Sequence, residues 1–369
     1  MKKPTKHDQD WNVLTSFFPR NWRNLASECG AVSRLRGFAS EEALLRTLLL
    51  HVARGYSLRE CSVRAAHAKI AKVSDVAILK RLRKAEAWFR HLCRVMLEES
   101  RINIPTPKNG LRIKAVDATI VKEPGKTGSQ WRIHYGLRLP GLECDHFDLT
   151  PTEGSGTGET FNRHPIAPQD YIMGDRGYCT PGGVAYVHSR KGYVLVRLNS
   201  SALPLFDALG KPFRLLNRMR ALKAVGQPKE WNVLVSGPKG ELIPGRLCAL
   251  RKSEQAILVA QKRRKRKANK LGRKLKPATL ELEKYVIVFT TFPKHNFSTG
   301  EILNWYRVRW QIELIFKRFK SIAQLGHLPK YDEASSKAWL LGKMFVALLT
   351  QKLLRFARDF SPWGYQYEL

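Results

Sequence analysis

Two stretches, LRIKAVDATIV (residues 111–121) and DYIMGDRGY (residues 170–178), set the tightest limit on what this chain can fold into. Both are rich in apolar and β-branched residues, so both read as strands near the middle of a sheet, buried on two faces. Each ends in an aspartate, Asp117 in the first and Asp175 in the second. Taken singly, a strand-end aspartate often caps a turn. An ionised carboxylate in an apolar strand is costly, however, unless a cation compensates it. Two of them on neighbouring strands repel each other. A pair of Mg²⁺ ions about 3.5–4 Å apart resolves that repulsion, because hard divalent ions prefer carboxylate oxygens and water. Such a pair activates a water or a 3′-hydroxyl and stabilises the leaving oxygen of an in-line phosphoryl transfer.

A third carboxylate is offered by YRVRWQIELIFKRFK, residues 306–320. As one continuous helix, at about 100° per residue, it places Tyr306, Arg309, Glu313 and Lys320 within an arc of roughly 60°. Val308, Ile312, Ile315, Phe316 and Phe319 form a separate, wider stripe suited to packing on a core. The plain alternative is a solvated face with an Arg309–Glu313 pair worth a few tenths of a kcal/mol.

The charge balance favours a polyanionic partner. The 369 residues carry 65 Lys+Arg against 31 Asp+Glu, a formal net charge of +34. Each Lys or Arg laid on a phosphate releases condensed counterions, so double-stranded DNA is the expected partner. The run KRRKRKANKLGRKLK holds no acid, yet basicity is not confined to it and extends through both termini. Six cysteines without a C-x-x-C pair argue against a zinc ribbon or a disulfide framework and for a reducing compartment. Ten histidines without H-x-x-x-H spacing give a zinc hydrolase little support. No apolar signal segment opens the chain, and AWLLGKMFVALLTQKLL is interrupted by Lys343, Gln351 and Lys352, so a cytoplasmic protein without a membrane span is expected.

Along the chain, residues 1–105 read as a helical DNA-binding region. Ser40, Ser57 and Ser74 are placed to cap successive helices, with AKVS as a turn between the last two. That is the cadence of a helix-turn-helix whose second helix carries Lys80, Arg81 and Arg83 towards DNA. NIPTPKNG breaks helicity and marks a boundary. Residues 106–199 give three strands, a crossing segment and a strand–helix–strand unit, which describes a mixed sheet of an α/β fold. Residues 200–284 read as a β-rich insertion, with PFRLL, EWNVLVS, IPGRLCALR and AILVAQ as short strands ahead of the basic run. Residues 285–369 return to the core with one strand and two helices.

Tyr306, Arg309, Glu313 and Lys320 match, without a gap, the Y-x2-R-x3-E-x6-K signature of bacterial insertion-sequence transposases of the D-D-E type. VDAT around Asp117 and GDRGY around Asp175 resemble that family's first two acidic motifs. The resemblance spans roughly residues 40–350. It implies an RNase H-like core, interrupted by a β-strand insertion between Asp175 and Glu313. It also implies cut-and-paste transposition through a DNA hairpin, with Asp117, Asp175 and Glu313 ligating Mg²⁺ or Mn²⁺. Tyr306, Arg309 and Lys320 would then hold the phosphates of the transferred end, with Arg176 added to the DNA-contacting set. Trp231 is the candidate to stack on a displaced base. The implied partners are transposon terminal inverted repeats, target DNA and a second copy of the chain in a synaptic complex. Two other readings stay open: a transposase-derived DNA-binding protein without chemistry, and an RNase H-like nuclease that cleaves but does not join.

Overall fold

The computed structural model describes residues 6–102, 110–123, 130–329 and 332–359. Six helices come first: α1 (Lys6–Thr15), α2 (Trp22–Glu28), α3 (Glu41–Val52), α4 (Leu58–His67), α5 (Asp75–Lys84) and α6 (Glu86–Ile102). The expected caps form. Ser40, Ser57 and Ser74 accept hydrogen bonds from the backbone amides of Ala43, Glu60 and Ala77 at 3.1–3.2 Å. Each satisfies a donor that the first turn of its helix leaves unpaired. Most of NIPTPKNG lies outside the described residues.

The sheet begins with β1 (Arg112–Lys122), β2 (Gln130–Leu139) and β3 (Glu143–Pro151), a meander of antiparallel pairs. In β2 the alternating set Trp131, Ile133, Tyr135, Leu137 and Leu139 is buried throughout, as its period of two requires. Then come β4 (Asp170–Gly174), α7 (Pro181–Ser189) and β5 (Tyr193–Arg197), with β4 parallel to β1 and β5 parallel to β4. These five strands, in the order β3-β2-β1-β4-β5, make one side of the sheet of a mixed α/β fold.

The remaining elements are β6 (Leu205–Phe206), α8 (Leu215–Arg220), β7 (Lys229–Ser236), β8 (Leu242–Arg251), α9 (Glu254–Lys270), α10 (Pro277–Leu282), β9 (Tyr285–Thr290), α11 (Thr299–Val308), α12 (Gln311–Ser321) and α13 (Glu333–Asp359). β9 pairs antiparallel with both β5 and β8, so the inserted strands extend the core sheet. The result is one nine-stranded sheet of order β3-β2-β1-β4-β5-β9-β8-β7-β6.

Two segments expected to be strands depart from that reading, the first making only an isolated bridge at Pro212. PFRLL runs into α8, and AILVAQ lies in α9 together with most of the basic run. Ser253 caps α9 by accepting from the Ala256 amide, and the Lys/Arg-rich continuation favours helix, which outweighs the short apolar stretch. Asp117 also departs from expectation: it sits mid-strand in β1, because β1 continues along β2 after β4 has stopped.

Two apolar clusters cover the sheet. One joins the N-terminal helices, α12, α13 and the face of β1 that carries Ile113 and Ala115. Within it Trp22, Trp88, Phe89 and Phe345 pack together, and a Cβ on Gly342 of α13 would meet Val52 of α3 at 2.9 Å. The other cluster collects Val116, Ile172, Val194 and Val196 with α7 and the inserted strands.

His134 of β2 and His164 are buried, and neither His164 ring nitrogen has a hydrogen-bond partner. Burial lowers both, with Arg163 adding to the effect on His134 and His146 to that on His164, to about 4 and about 3. Both therefore fold neutral. Their contribution is complete above the ordinary histidine value near 6.5 and is lost as pH falls below it, because only the unfolded chain takes up the protons. We predict that His164→Phe flattens the acid side of a melting-temperature profile. The variant's gain over wild type should reach about 2 kcal/mol near pH 5, from 1.36 kcal/mol per pH unit. Parallel wild-type and variant profiles between pH 6.5 and 5 would contradict it.

Candidate active site

The parallel register of β1 and β4 brings the two aspartates to one level. Ala115 lies opposite Met173, so two residues on in each strand Asp117 and Asp175 are side by side. Asp117 keeps the alternation of Ile113 and Ala115 and points to the face that carries α12. β4 ends at Gly174, and Asp175 follows it at the carboxyl end of the strand, where open α/β sheets place their ligands.

Local sequence explains the close approach. In GDRGY a Cβ on Gly174 would come within 2.7 Å of the Tyr178 side chain. A Cβ on Gly177 would meet Asp175 Oδ1 at 3.1 Å and Glu159 Oε2 at 3.0 Å. The Gly177 amide donates to Asp175 Oδ1 at 2.7 Å. Both glycines are therefore needed for space. Asp117, Asp175 and Glu159 each offer an oxygen within 4.8 Å of the others, a group that could hold a metal ion.

Glu159 was not foreseen. It ends the Gly-rich loop GSGTGE ahead of a single 3₁₀ turn (Phe161–Arg163) that Thr160 caps. The signal available was an acid closing a Gly-rich loop between two strands, which by itself does not point to a partner.

Glu313 approaches from the other side of a cation. The helix expected to be continuous from 306 to 320 is broken at Arg309–Trp310 into α11 and α12. There the amides of Trp310, Ile312 and Glu313 bond to carbonyls three residues back, at 2.9–3.3 Å, so the chain tightens to 3₁₀ geometry. Arg309 sits at this corner. It donates to Asp117 Oδ2 at 3.3 Å and to Glu313 Oε1 at 2.7 Å. Arg309 and Asp117 are 11% and 16% exposed, whereas Glu313 is 57% exposed. Tyr306 completes the corner, its ring 5.7 Å from the Arg309 guanidinium carbon.

The electrostatics follow from these contacts. Burial pushes the Asp117 carboxyl up to about 6. Its neighbours Asp175 and Glu159 add to the rise, and the Ala118 amide and Arg309 oppose it. Glu159 is raised by burial and then by Asp175. Burial works against the Arg309 charge, but Tyr306, Glu313 and Asp117 outweigh it and hold the guanidinium protonated. Burial raises the Tyr306 phenol, with Arg309 pulling the other way. The fully buried Tyr178 hydroxyl has no hydrogen-bond partner, and Asp117, Glu159 and Asp175 all act on it electrostatically.

Other expected contact residues lie elsewhere. Lys320 is exposed in the last turn of α12. Arg176 pairs with Glu283 at 3.5 Å, a carboxylate shared with Arg264 of α9 at 3.9 Å. Trp231 on β7 packs edge-on against Phe213, five strands from β1, so roughly 24 Å along the sheet. Lys80, Arg81 and Arg83 line a basic concavity of about 600 Å³ with Arg34, Arg36 and Lys84. Arg81 donates there to the Arg34 carbonyl, and Arg83 pairs with Asp332 at 3.0 Å. Among the described residues no helix is long and apolar enough to cross a membrane.

Residues 108–349, well over half of the chain, match the family model described as the transposase DDE domain. The putative transposase InsL of insertion sequence element IS186A from Escherichia coli K12 is 30% identical over 363 residues, with 96% of each chain covered. The transposase of element IS421 from Escherichia coli is 30% identical over 364 residues, again with 96% of both covered. The transposase of element IS231C from Bacillus thuringiensis subsp. berliner is 24% identical, over 95% of this chain and 80% of its own. Among solved structures, the piggyBac transposase synaptic complex with hairpin DNA aligns with a TM-score of 0.43 and 10% identity. That alignment covers 99% of this chain and 88% of the other, too loose a match to carry residue roles across. On the family match and the near full-length relatives, the chain belongs to the DDE-domain transposases of bacterial insertion sequences, enzymes that act on DNA.

Proposed function

We propose that this transposase cuts the ends of its own element in a divalent-metal-dependent reaction, through a hairpin on the transposon end, and joins them to target DNA. The observation that carries this reading is the convergence of Asp117 and Asp175 at one level of the sheet, beside the Arg309–Glu313 corner. Oxygen-only donors suit Mg²⁺ or Mn²⁺ rather than a softer ion. The space that Gly177 leaves between two carboxylates, and the unpartnered Tyr178 hydroxyl beside them, fit a bound ion with its waters.

Asp117 and Asp175 are the residues that would hold the ion, and Glu313 is the third carboxylate of the catalytic set. When bound, the metal polarises the scissile phosphate and lowers the pKa of the attacking water or hydroxyl. The chain's own residues do the rest. Arg309 pairs with both Asp117 and Glu313, and its remaining N–H groups would turn to a phosphate. Tyr306 packs beside that guanidinium, and Lys320 adds a cation further along α12. The basic concavity on α5 binds the duplex away from the chemistry, and two copies of the chain bring two ends together.

Asp175→Asn removes one charge at nearly constant shape. The variant should bind the element's terminal inverted repeats at least as well as wild type in a gel-shift titration, yet neither nick nor join them in Mg²⁺. Nicking and joining at the wild-type rate would refute the reading.

Lys320→Ala should instead weaken end binding by about 1.5–3 kcal/mol, the cost of a charged hydrogen bond to phosphate. Unchanged affinity would remove Lys320 from the interface.

For α5, replacing Lys80, Arg81 and Arg83 by alanine should flatten the slope of log affinity against log salt by about one for each lost phosphate contact. An unchanged slope and affinity would take this helix out of DNA binding.

A further inference from the structure

We propose that Glu159 is a ligand to the divalent ion that Asp117 and Asp175 would hold, so that the resting site carries its third carboxylate on the loop after β3. This rests on the metal-dependent reading above and adds to it a residue outside the Asp117, Asp175 and Glu313 set.

The first observation is positional. Glu159 shares the 4.8 Å grouping with both aspartates, and its Oε2 and Asp175 Oδ1 would both crowd a Cβ placed on Gly177. Glu313, by comparison, is committed to Arg309 at 2.7 Å and is mostly exposed.

The second observation concerns a neighbouring side chain. Tyr178 is fully buried, its hydroxyl is unpaired, and the three carboxylates act on it together. A buried hydroxyl without a partner is rare and costs on the order of 1–3 kcal/mol. A metal with its bound water would supply the missing acceptor or donor at that place.

The protein leaves Glu159 weakly compensated. Its cation is Arg132, whose Nε lies 4.0 Å from Oε1, and that same Nε is buried without a hydrogen bond. Arg163 holds the loop at the Gly156 and Gly158 carbonyls, and Thr160 caps the turn that follows, so the carboxylate is delivered by an anchored segment.

The test is Mn²⁺ binding by the full-length protein without DNA, followed by electron paramagnetic resonance, with melting temperatures measured with and without Mn²⁺. Glu159→Gln should weaken Mn²⁺ at least tenfold, as should Asp175→Asn, and should lose the Mn²⁺-induced rise in melting temperature. Its metal-free melting temperature should equal or exceed that of wild type, because one of three crowded charges is gone. Mn²⁺ binding within twofold of wild type in Glu159→Gln, with Asp117→Asn and Asp175→Asn both defective, would overturn this assignment and leave the metal reading standing. Lost binding together with a lower metal-free melting temperature would make Glu159 a structural residue and would also overturn it. If wild type itself binds no Mn²⁺, both this assignment and the reading it rests on fall.

Discussion

Repulsion between carboxylates at one level of the sheet is the constraint on which the site is built. Parallel pairing of β1 with β4 puts Asp117 beside Asp175, and the loop after β3 adds Glu159. Moved out of water, such charges are tolerated only with close compensation. Asp117 shows the tension, its carboxyl pushed up to about 6 by burial despite an arginine at 3.3 Å. Electrostatic strain of this kind, gathered at one level of the sheet, is what a metal-dependent phosphoryl transfer site requires. It is unlike the exposed ion pairs elsewhere on the surface, such as Arg64–Glu60, which contribute little.

Arg309 is the residue through which the two halves of the fold meet at this point. It belongs to a corner between α11 and α12, with Ile312, Ile315, Phe316 and Phe319 seating α12 on the core below it. One guanidinium therefore couples a mid-strand aspartate in the first half of the core to a helix carboxylate from the second half. The long insertion between them does not loosen this arrangement, because β6–β8 continue the sheet through β9. The same insertion carries α9, whose Arg264 shares Glu283 with Arg176, the neighbour of Asp175.

What the sequence made legible was local or periodic. Ser40, Ser57 and Ser74 signalled their helices because capping needs only a side-chain oxygen and an amide three residues on. The alternation in β2 survived because one face of that strand is fully buried. AILVAQ misled because five successive apolar residues suit a strand or a helix equally, and only the Ser253 cap and the basic continuation decide. The break at Arg309–Trp310 was hidden because both residues keep right-handed helical angles, so nothing in composition marks it. Glu159 was illegible for a different reason. Its meeting with Asp175 depends on two loops folding over a glycine, which is tertiary information.

The most direct measurement of the central claim is anomalous diffraction from crystals of the protein grown or soaked in Mn²⁺. The account predicts an anomalous peak between the carboxylates of Asp117 and Asp175, bounded by oxygen ligands alone. A protein that binds Mn²⁺ only elsewhere, with Arg309 still paired to Asp117 and no peak between the two aspartates, would contradict it.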